Sequence, residues 1–117
     1  MTGYFVLAER GQVEDPEWWE RHTGITVIVQ CAGARSGRQF NYPVRGLKHM
    51  IVDPRDQEQR QNMLTEAMYD VRDALKRNQE VLLHCEQSFH RALVVAAAFM
   101  KRLTGRHPQA FRQSLSS

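Results

Sequence analysis

The sequence predicts an α/β fold in which a central, mostly parallel sheet is flanked by helices. Three short runs, residues 25–31, 49–52 and 81–83, are apolar and largely β-branched, which is typical of strands covered on both faces. Two longer segments with helical spacing of apolar residues follow the second and third of these runs. Because strands alternate with helices along the chain, the strands are expected to lie parallel.

Local signals predict the elements around these strands. Residues 4–8 form a further short β-prone run. Asp15 is a suitable N-cap and is followed by a proline and a glutamate, so a short helix is predicted from there to about Arg21. Two tryptophans within this helix are predicted to pack in the core. Residues 32–46 hold three glycines, a proline and three arginines, which indicates a loop.

Two long helices are predicted in the second half of the chain. The first covers residues 57–77, and the second covers residues 92–103, which are apolar nearly all round and are therefore predicted to form a central buried helix. Gly105 suits the C-cap of that helix, and residues 108–115 are predicted as a last short helix. The apolar residues of the first helix lie on one side: Leu64, Ala67, Met68, Val71 and Leu75.

The composition predicts one compact domain over residues 1–117. Hydrophobic residues make up 42% and charged residues 25%, an ordinary globular balance. No apolar run reaches the roughly 20 residues of a membrane span, and the N-terminus lacks a signal peptide pattern. Two distant cysteines predict a reducing, cytoplasmic setting. The net charge of +3 fits an anionic partner and is too small to favour nucleic acid.

A cysteine and an arginine flank the predicted connection between the third strand and the last long helix. Cys85 follows the strand, and Arg91 stands six positions later at the start of the helix. A short strand-to-helix loop turns its backbone N–H groups inward and forms a site for an anion. The same groups and the helix dipole favour a thiolate, the nucleophilic form of cysteine. Arg91 can bind two phosphate oxygens through its planar guanidinium.

The alternative interpretation of this pair is structural. A Cys-x5-Arg pattern arises often by chance, and a buried cysteine usually packs as a small apolar residue. The context favours the phosphate loop, because an apolar strand precedes it, an apolar helix follows it and His84 adjoins the cysteine.

This segment resembles the loop of the dual-specificity branch of the protein tyrosine phosphatases, which reads His-Cys-x-x-Gly-x-x-Arg followed by Ser or Thr. His84, Cys85 and Arg91 match that pattern. The resemblance implies a phosphatase-like fold with a phosphate-binding loop between a buried strand and a buried helix. Similarity extends over nearly the whole chain, in Phe5-Val-Leu-Ala, Trp18-Trp19, Gly24-Ile-Thr-Val-Ile-Val and Lys48-His-Met-Ile-Val-Asp53.

The family resemblance implies a phosphoric monoester hydrolase that acts on phosphotyrosine in a protein or peptide, with phosphoserine and phosphothreonine as further substrates. The reaction passes through a phosphocysteine on Cys85, without a metal or other cofactor. Asp53 lies upstream at the separation where such enzymes carry their general acid. Asp56 competes with it, because both carboxylates fall on one predicted loop, and the spacing favours Asp53.

The resemblance also implies roles for the other residues of the loop. His84 is expected to orient and tune Cys85, although a core histidine bonded to backbone is an equal alternative. Phe89 and His90 are expected at the rim of the pocket. The phosphate-binding loop comprises Glu86, Gln87, Ser88, Phe89, His90 and Arg91.

Two positions depart from the family pattern. Ser88 stands where the family has glycine, and keeping a left-handed conformation there would cost a serine about 1–2 kcal/mol. Cell-cycle phosphatases of the rhodanese type resemble this loop at that point, with Cys-Glu-x-Ser. Ala92 replaces the hydroxyl that assists breakdown of the intermediate, which predicts slower turnover.

Two other functions therefore stay open. A pseudophosphatase that binds phosphorylated partners would explain both departures, but the retained Cys85, Arg91 and upstream Asp53 weigh against it. A phosphatase of RNA 5′ ends or of phosphoinositides has only the modest basic charge in its favour.

Cys31 is the second cysteine and ends the first predicted long strand. In a parallel sheet, the carboxyl ends of this strand and of residues 81–84 lie at one edge. Cys31 and Cys85 are therefore predicted to lie close to the distance at which a disulfide can form. Some relatives with this loop use such a second cysteine to trap the oxidised nucleophile. Mild peroxide is therefore predicted to form a disulfide reversibly. The alternative is that Cys31 packs only as a small apolar residue.

Overall fold

The computed structural model describes residues 3–31, 40–52, 57–85 and 90–104. Its strands are β1 (Tyr4–Ala8), β2 (Ile25–Gln30), β3 (Lys48–Ile51) and β4 (Glu80–His84). They form one parallel sheet in the order β1-β4-β2-β3. The predicted α/β class with a parallel sheet is confirmed, and each predicted strand differs from the observed one by no more than one residue at either end.

Helices connect the strands. Two short ones, α1 (Arg10–Val13) and α2 (Pro16–Glu20), follow β1, whereas α3 (Gln57–Lys76) precedes β4 and α4 (His90–Thr104) follows it. The predicted N-cap is confirmed, because the Asp15 side chain accepts from the Glu17 N–H at 3.0 Å. The sequence prediction missed α1, since four residues are too short to display a helical period. None of the helices in the described ranges combines the length and apolarity needed to span a membrane.

The sheet separates two apolar layers. Side chains of each strand alternate between the faces, as the pleat requires, so Phe5 and Leu7 face α3 and α4 while Val6 and Ala8 face the opposite layer. That opposite layer contains both tryptophans of α2, which are 3% and 5% exposed, so their predicted core role is confirmed. The apolar side of α3 includes Leu64, Ala67, Val71, Ala74 and Leu75.

Among the described residues, the helix α4 is buried on one side only, so the prediction of a central buried helix is wrong. Val94 is 50% exposed, whereas the side chains toward the sheet are buried. The sheet covers just one face of the helix, and apolar composition alone does not create a second covering layer. Gly105 and residues 108–115 lie outside the described residues. The buried residues of α4 are Ala92, Val95, Ala96 and Phe99.

The first residue before β1 packs tightly against the end of α3. The Gly3 N–H donates to the Leu75 carbonyl oxygen at 2.9 Å, and a Cβ on Gly3 would lie 2.1 Å from the Gln79 carbonyl oxygen. We expect Gly3→Ala to lower the free energy of unfolding by about 1–3 kcal/mol, because the backbone must move to admit the methyl group. Urea unfolding measures this loss.

Gly11 provides the matched control for that substitution. It lies in α1 with nothing within 4 Å of the position of a Cβ. Gly11→Ala should raise stability by about 0.5–1 kcal/mol, because alanine loses less conformational entropy in a helix. Equal effects of the two substitutions would contradict the packing at Gly3.

Candidate functional site

The carboxyl ends of all four strands meet at one edge of the sheet. His84 of β4 is in register with Ala8 of β1 and with Gln30 of β2, and Gln30 is in register with Ile51 of β3. The Val52 N–H extends this pairing by donating to the Gln30 carbonyl oxygen at 2.8 Å. In open parallel sheets, this edge is where ligands bind.

Cys85 follows β4 at this edge, and α4 begins five residues later. The predicted order of buried strand, cysteine and helix is therefore confirmed. Cys85 is 2% exposed, and Arg91 lies partly buried in the first turn of α4, which contains no acidic residue. Cys85 thus directly follows β4 and Arg91 lies in α4, two elements that pack in the same core. The side chain of His90 lies outside the described residues, as do Glu86, Gln87, Ser88 and Phe89.

Cys31 lies beside Cys85 at the same edge. The Cys31 N–H donates to the His84 carbonyl oxygen at 2.7 Å, which continues the β2–β4 pairing to the position before Cys85. Both cysteines are buried, reduced thiols and part of the core cluster on the α3–α4 face. Burial, together with the nearby Cys85, raises the pKa of the Cys31 thiol well above its ordinary value. The predicted convergence of the two strand ends is confirmed.

His84 is fully buried on the other face of the sheet. Its Nε2 lies 2.5 Å from the Tyr42 hydroxyl, and its ring meets the edge of Phe40 at a centroid distance of 4.6 Å. Burial lowers the pKa of His84 to about 4, with a further lowering from His49 and a partial offset from the Cys85 backbone and from Glu14. The imidazole is therefore neutral at pH 7. Burial also raises the pKa of Tyr42.

His84 is a core histidine, as one of the two sequence interpretations expected, and its Nε2 bonds to the Tyr42 hydroxyl, a partner that the sequence did not indicate. Among the described residues its Nδ1 makes no hydrogen bond of normal geometry, although the Cys85 backbone partly offsets the lowering of the His84 pKa. The carbonyl oxygen of His84, by contrast, helps to hold Cys31 in place.

Sequence reasoning missed the polar and aromatic residues around His84. Phe40 and Tyr42 fall in the predicted loop, where two aromatic residues among glycines and arginines were the available signal. Gln30 is 5% exposed and interrupts an apolar strand, a second signal of a buried contact. His49 Nε2 lies 3.0 Å from Gln30 Oε1, so the oxygen of this buried amide has a partner.

The predicted acids fall outside the described part of the chain. Asp53 and Asp56 belong to residues 53–56, between Val52 and α3. Val52 itself is fully buried and bonded to β2, so the chain leaves β3 at the edge where Cys85 follows β4. Within the described ranges, no group of three or more His, Cys, Asp or Glu side chains could hold a metal ion.

The lowered pKa of His84 predicts a pH-dependent stability. The unfolded chain binds this proton near pH 6.5 and the folded protein only near pH 4, so stability is retained above pH 6.5 and lost as the pH falls between these values. We expect the loss to approach about 3 kcal/mol by pH 4. Urea unfolding across this range measures it.

Two variants test whether His84 causes this slope. His84→Gln should be less stable at pH 7, because the bond from Tyr42 is altered, but its stability should depend less on pH. His49→Gln should keep most of the slope, because burial has a larger effect on the pKa of His84 than His49 does. An unchanged slope in His84→Gln would assign the effect to another group.

The proximity of the two cysteines predicts a reversible oxidation. Peroxide would oxidise the Cys85 thiol to a sulfenic acid, and Cys31 would then attack that sulfur, forming a disulfide and releasing water. Mass spectrometry of the unreduced protein should find the Cys31–Cys85 peptide pair, and a thiol reductant should restore both thiols. In Cys31→Ser, prolonged peroxide should cause irreversible oxidation. Recovery as complete as that of the wild type would show that Cys31 only packs.

Comparisons of the chain with models of protein families, with curated proteins and with solved structures find no match. The arrangement of Cys85, Arg91 and His84 at the carboxyl edge of the sheet is therefore the basis for assigning a function.

Proposed function

We propose that this protein is a cysteine-dependent phosphatase that removes phosphate from phosphotyrosine in proteins or peptides. One observation carries the proposal: Cys85 directly follows a buried parallel strand, and Arg91 lies in the first turn of the helix that follows. The amino end of a 15-residue helix without acidic residues in its first turn favours an anion at that position. The phosphate-binding loop itself, residues 86–91, is part of the proposal.

The proposed reaction is a double displacement. The Cys85 thiolate attacks phosphorus, and the bond from phosphorus to the ester oxygen breaks as Asp53 donates a proton to that oxygen. Arg91 binds oxygens of the transferring phosphoryl group. Water then attacks the phosphocysteine, Asp53 accepts a proton from it, and phosphate and the thiolate are released. Each step uses side chains of this chain alone.

The surroundings of Cys85 support this proposal. His84 is neutral at pH 7, so it neither repels Arg91 nor competes with it for phosphate. The two reduced cysteines fit the reducing conditions of the cytoplasm, where we propose that the protein acts. Ala92, which replaces the family hydroxyl, is fully buried at the first turn of α4. The second step is therefore expected to limit turnover.

The test is hydrolysis of p-nitrophenyl phosphate beside a panel of phosphopeptides. Phosphotyrosine peptides should turn over fastest, with phosphoserine and phosphothreonine peptides slower. Arg91→Lys keeps the charge but loses the planar pair of donors, so it should weaken both binding and turnover. Faster turnover of a 5′-phosphorylated RNA or a phosphoinositide would reassign the substrate.

A phosphate-binding protein without turnover is the second candidate, favoured by the buried Ala92. It requires Arg91 but neither the thiolate nor an acid. Calorimetry with a phosphotyrosine peptide would detect binding in both cases. Binding without release of phosphate, in the wild type, would establish this candidate in place of the enzyme.

A further inference from the structure

We infer that Glu14, a residue outside the candidate site, is a positioning residue for Cys85. It holds residues 40–42 in place, so that Tyr42 bonds to His84, the residue before Cys85. The inference deepens the proposed function, and its consequence for phosphate hydrolysis rests on that function. Its consequence for the reactivity of the Cys85 thiol does not depend on the proposed function.

Glu14 joins α1 to the start of the segment that reaches His84. Its Oε2 accepts from the Asn41 N–H at 3.1 Å, and its Oε1 accepts from Arg10 Nε at 3.2 Å. The Asn41 N–H and then Arg10 lower the pKa of Glu14, so the carboxylate stays charged at neutral pH. Because the bond reaches a backbone N–H, it fixes the chain at residue 41 and not merely a side chain.

The residues on both sides of Asn41 contact the same imidazole. Phe40, 9% exposed, places its ring 4.6 Å from that of His84, and Tyr42 bonds to Nε2 of His84. The Arg10 guanidinium, which is paired with Glu14, also lies 5.6 Å from the centre of the Phe40 ring. Glu14 thus supports both contacts with His84. It supports the Tyr42 contact through the backbone bond to Asn41, and the Phe40 contact through its ion pair with Arg10.

The position of His84 affects Cys85 through the backbone. His84 is the last residue of β4, and its carbonyl oxygen accepts from the Cys31 N–H at the point where Cys85 begins the candidate loop. Loss of the Tyr42 hydroxyl would leave Nε2 without this partner in a fully buried environment, which favours reorientation of the ring. A shift of this kind at the nucleophile has a large effect on rate, since about 1 Å can cost roughly 10²-fold.

Charged and titratable groups surround His84 from several elements. Tyr42 bonds to it, His49 of β3 lowers its pKa, and Glu14, the C-cap residue of α1, raises its pKa with the smallest effect. A change at Glu14 therefore reaches His84 in two ways, through its charge and through the placement of Tyr42. Glu14→Gln separates them, because the amide oxygen still accepts from the Asn41 N–H while the charge is lost.

The test measures the rate at which iodoacetamide alkylates Cys85, as a function of pH, with the modified peptide identified by mass spectrometry. We expect Tyr42→Phe and Glu14→Ala to move the pH midpoint of alkylation in the same direction. The alkylation rate at pH 7 should change by about tenfold, which is less than the roughly 10²-fold that a shift of about 1 Å can cost. Glu14→Gln should have a smaller effect. The variant that combines Glu14→Ala with Tyr42→Phe should alter alkylation no more than Tyr42→Phe alone, because both substitutions act on the contact between Tyr42 and His84.

Glu20→Ala is the control, since Glu20 is an exposed acid on the neighbouring α2. Its alkylation profile should match that of the wild type. Lowered thermal stability of Glu14→Ala with an unchanged profile would overturn the inference and leave Glu14 a structural residue only. Additive effects of Glu14→Ala and Tyr42→Phe would also overturn it.

Hydrolysis of p-nitrophenyl phosphate separates this inference from the proposed function. Altered alkylation in a protein without hydrolysis would support the positioning role and reject the phosphatase. Hydrolysis by the wild type, with alkylation unaffected in Tyr42→Phe and Glu14→Gln, would support the phosphatase and reject the positioning role. These two variants remove few atoms, so they keep the test possible if Glu14→Ala does not fold.

Discussion

Cys85→Ser is expected to abolish hydrolysis of p-nitrophenyl phosphate while leaving the fold intact. Serine differs by one atom at a buried position, so its effect on stability should be small. Its hydroxyl, unlike a thiol, is a poor nucleophile at neutral pH unless a base activates it. His84 does not supply that base, because its side chain lies on the opposite face of the sheet and bonds to Tyr42. Initial rates of p-nitrophenol release measure the loss.

Cys31→Ser is the matched control for this substitution, because it makes the same chemical change at the neighbouring strand end. It should retain hydrolysis, since burial keeps the Cys31 thiol protonated. Circular dichroism and thermal unfolding verify that both variants are folded. Unchanged activity in Cys85→Ser would reject Cys85 as the nucleophile, and loss of activity in Cys31→Ser alone would transfer that role to Cys31.

Asp53→Ala is expected to lower kcat by roughly 10²- to 10⁴-fold, the usual contribution of a positioned acid, with little change in KM. Val52 is bonded to β2 at the carboxyl edge, and β2 alone separates β3 from β4. Neighbouring strands lie about 4.8 Å apart, so the chain leaves β3 roughly 10 Å from where Cys85 leaves β4. A substrate bound at Cys85 would fit between these two ends of β3 and β4.

Asp56→Ala is the control for the Asp53 prediction and should have a much smaller effect. The two substitutions remove the same carboxylate from one short segment, so their comparison cancels the loss of net charge. Substrates with a good leaving group need less help from an acid. The defect of Asp53→Ala should therefore be smaller for p-nitrophenyl phosphate than for a phosphotyrosine peptide. The reverse order of effects would assign the acid role to Asp56.

Several elements could be predicted because their signals are local. The strands β2 and β4 are nearly continuous runs of apolar residues, which are typical of a sheet covered on both faces. The bounds of α3 follow from one-sided apolar spacing, and Asp15 with its proline predicted the start of α2. The apolar runs on either side also predicted that Cys85 lies between β4 and α4, with Arg91 in the first turn of the helix.

Other features depend on contacts between distant parts of the chain. The strand order β1-β4-β2-β3 cannot be predicted from the sequence, because the pairing of strands depends on which faces of the sheet the helices can cover together. For the same reason, the apolar composition of α4 did not predict that Val94 would be exposed. The short α1 escaped detection because its stability comes from its cap and from the buried Val13.

The sequence by itself determined the alternation of strands and helices and the placement of Cys85 and Arg91, because hydrophobic periodicity and caps act over a few residues. Only the tertiary structure decided the surroundings of the cysteine. Tyr42 and His84 are 42 residues apart, and Glu14 and Asn41 are 27 apart. No local pattern links such pairs. They meet because the sheet places His84 at its carboxyl edge, where residues 40–42 fill the space between that edge and α1.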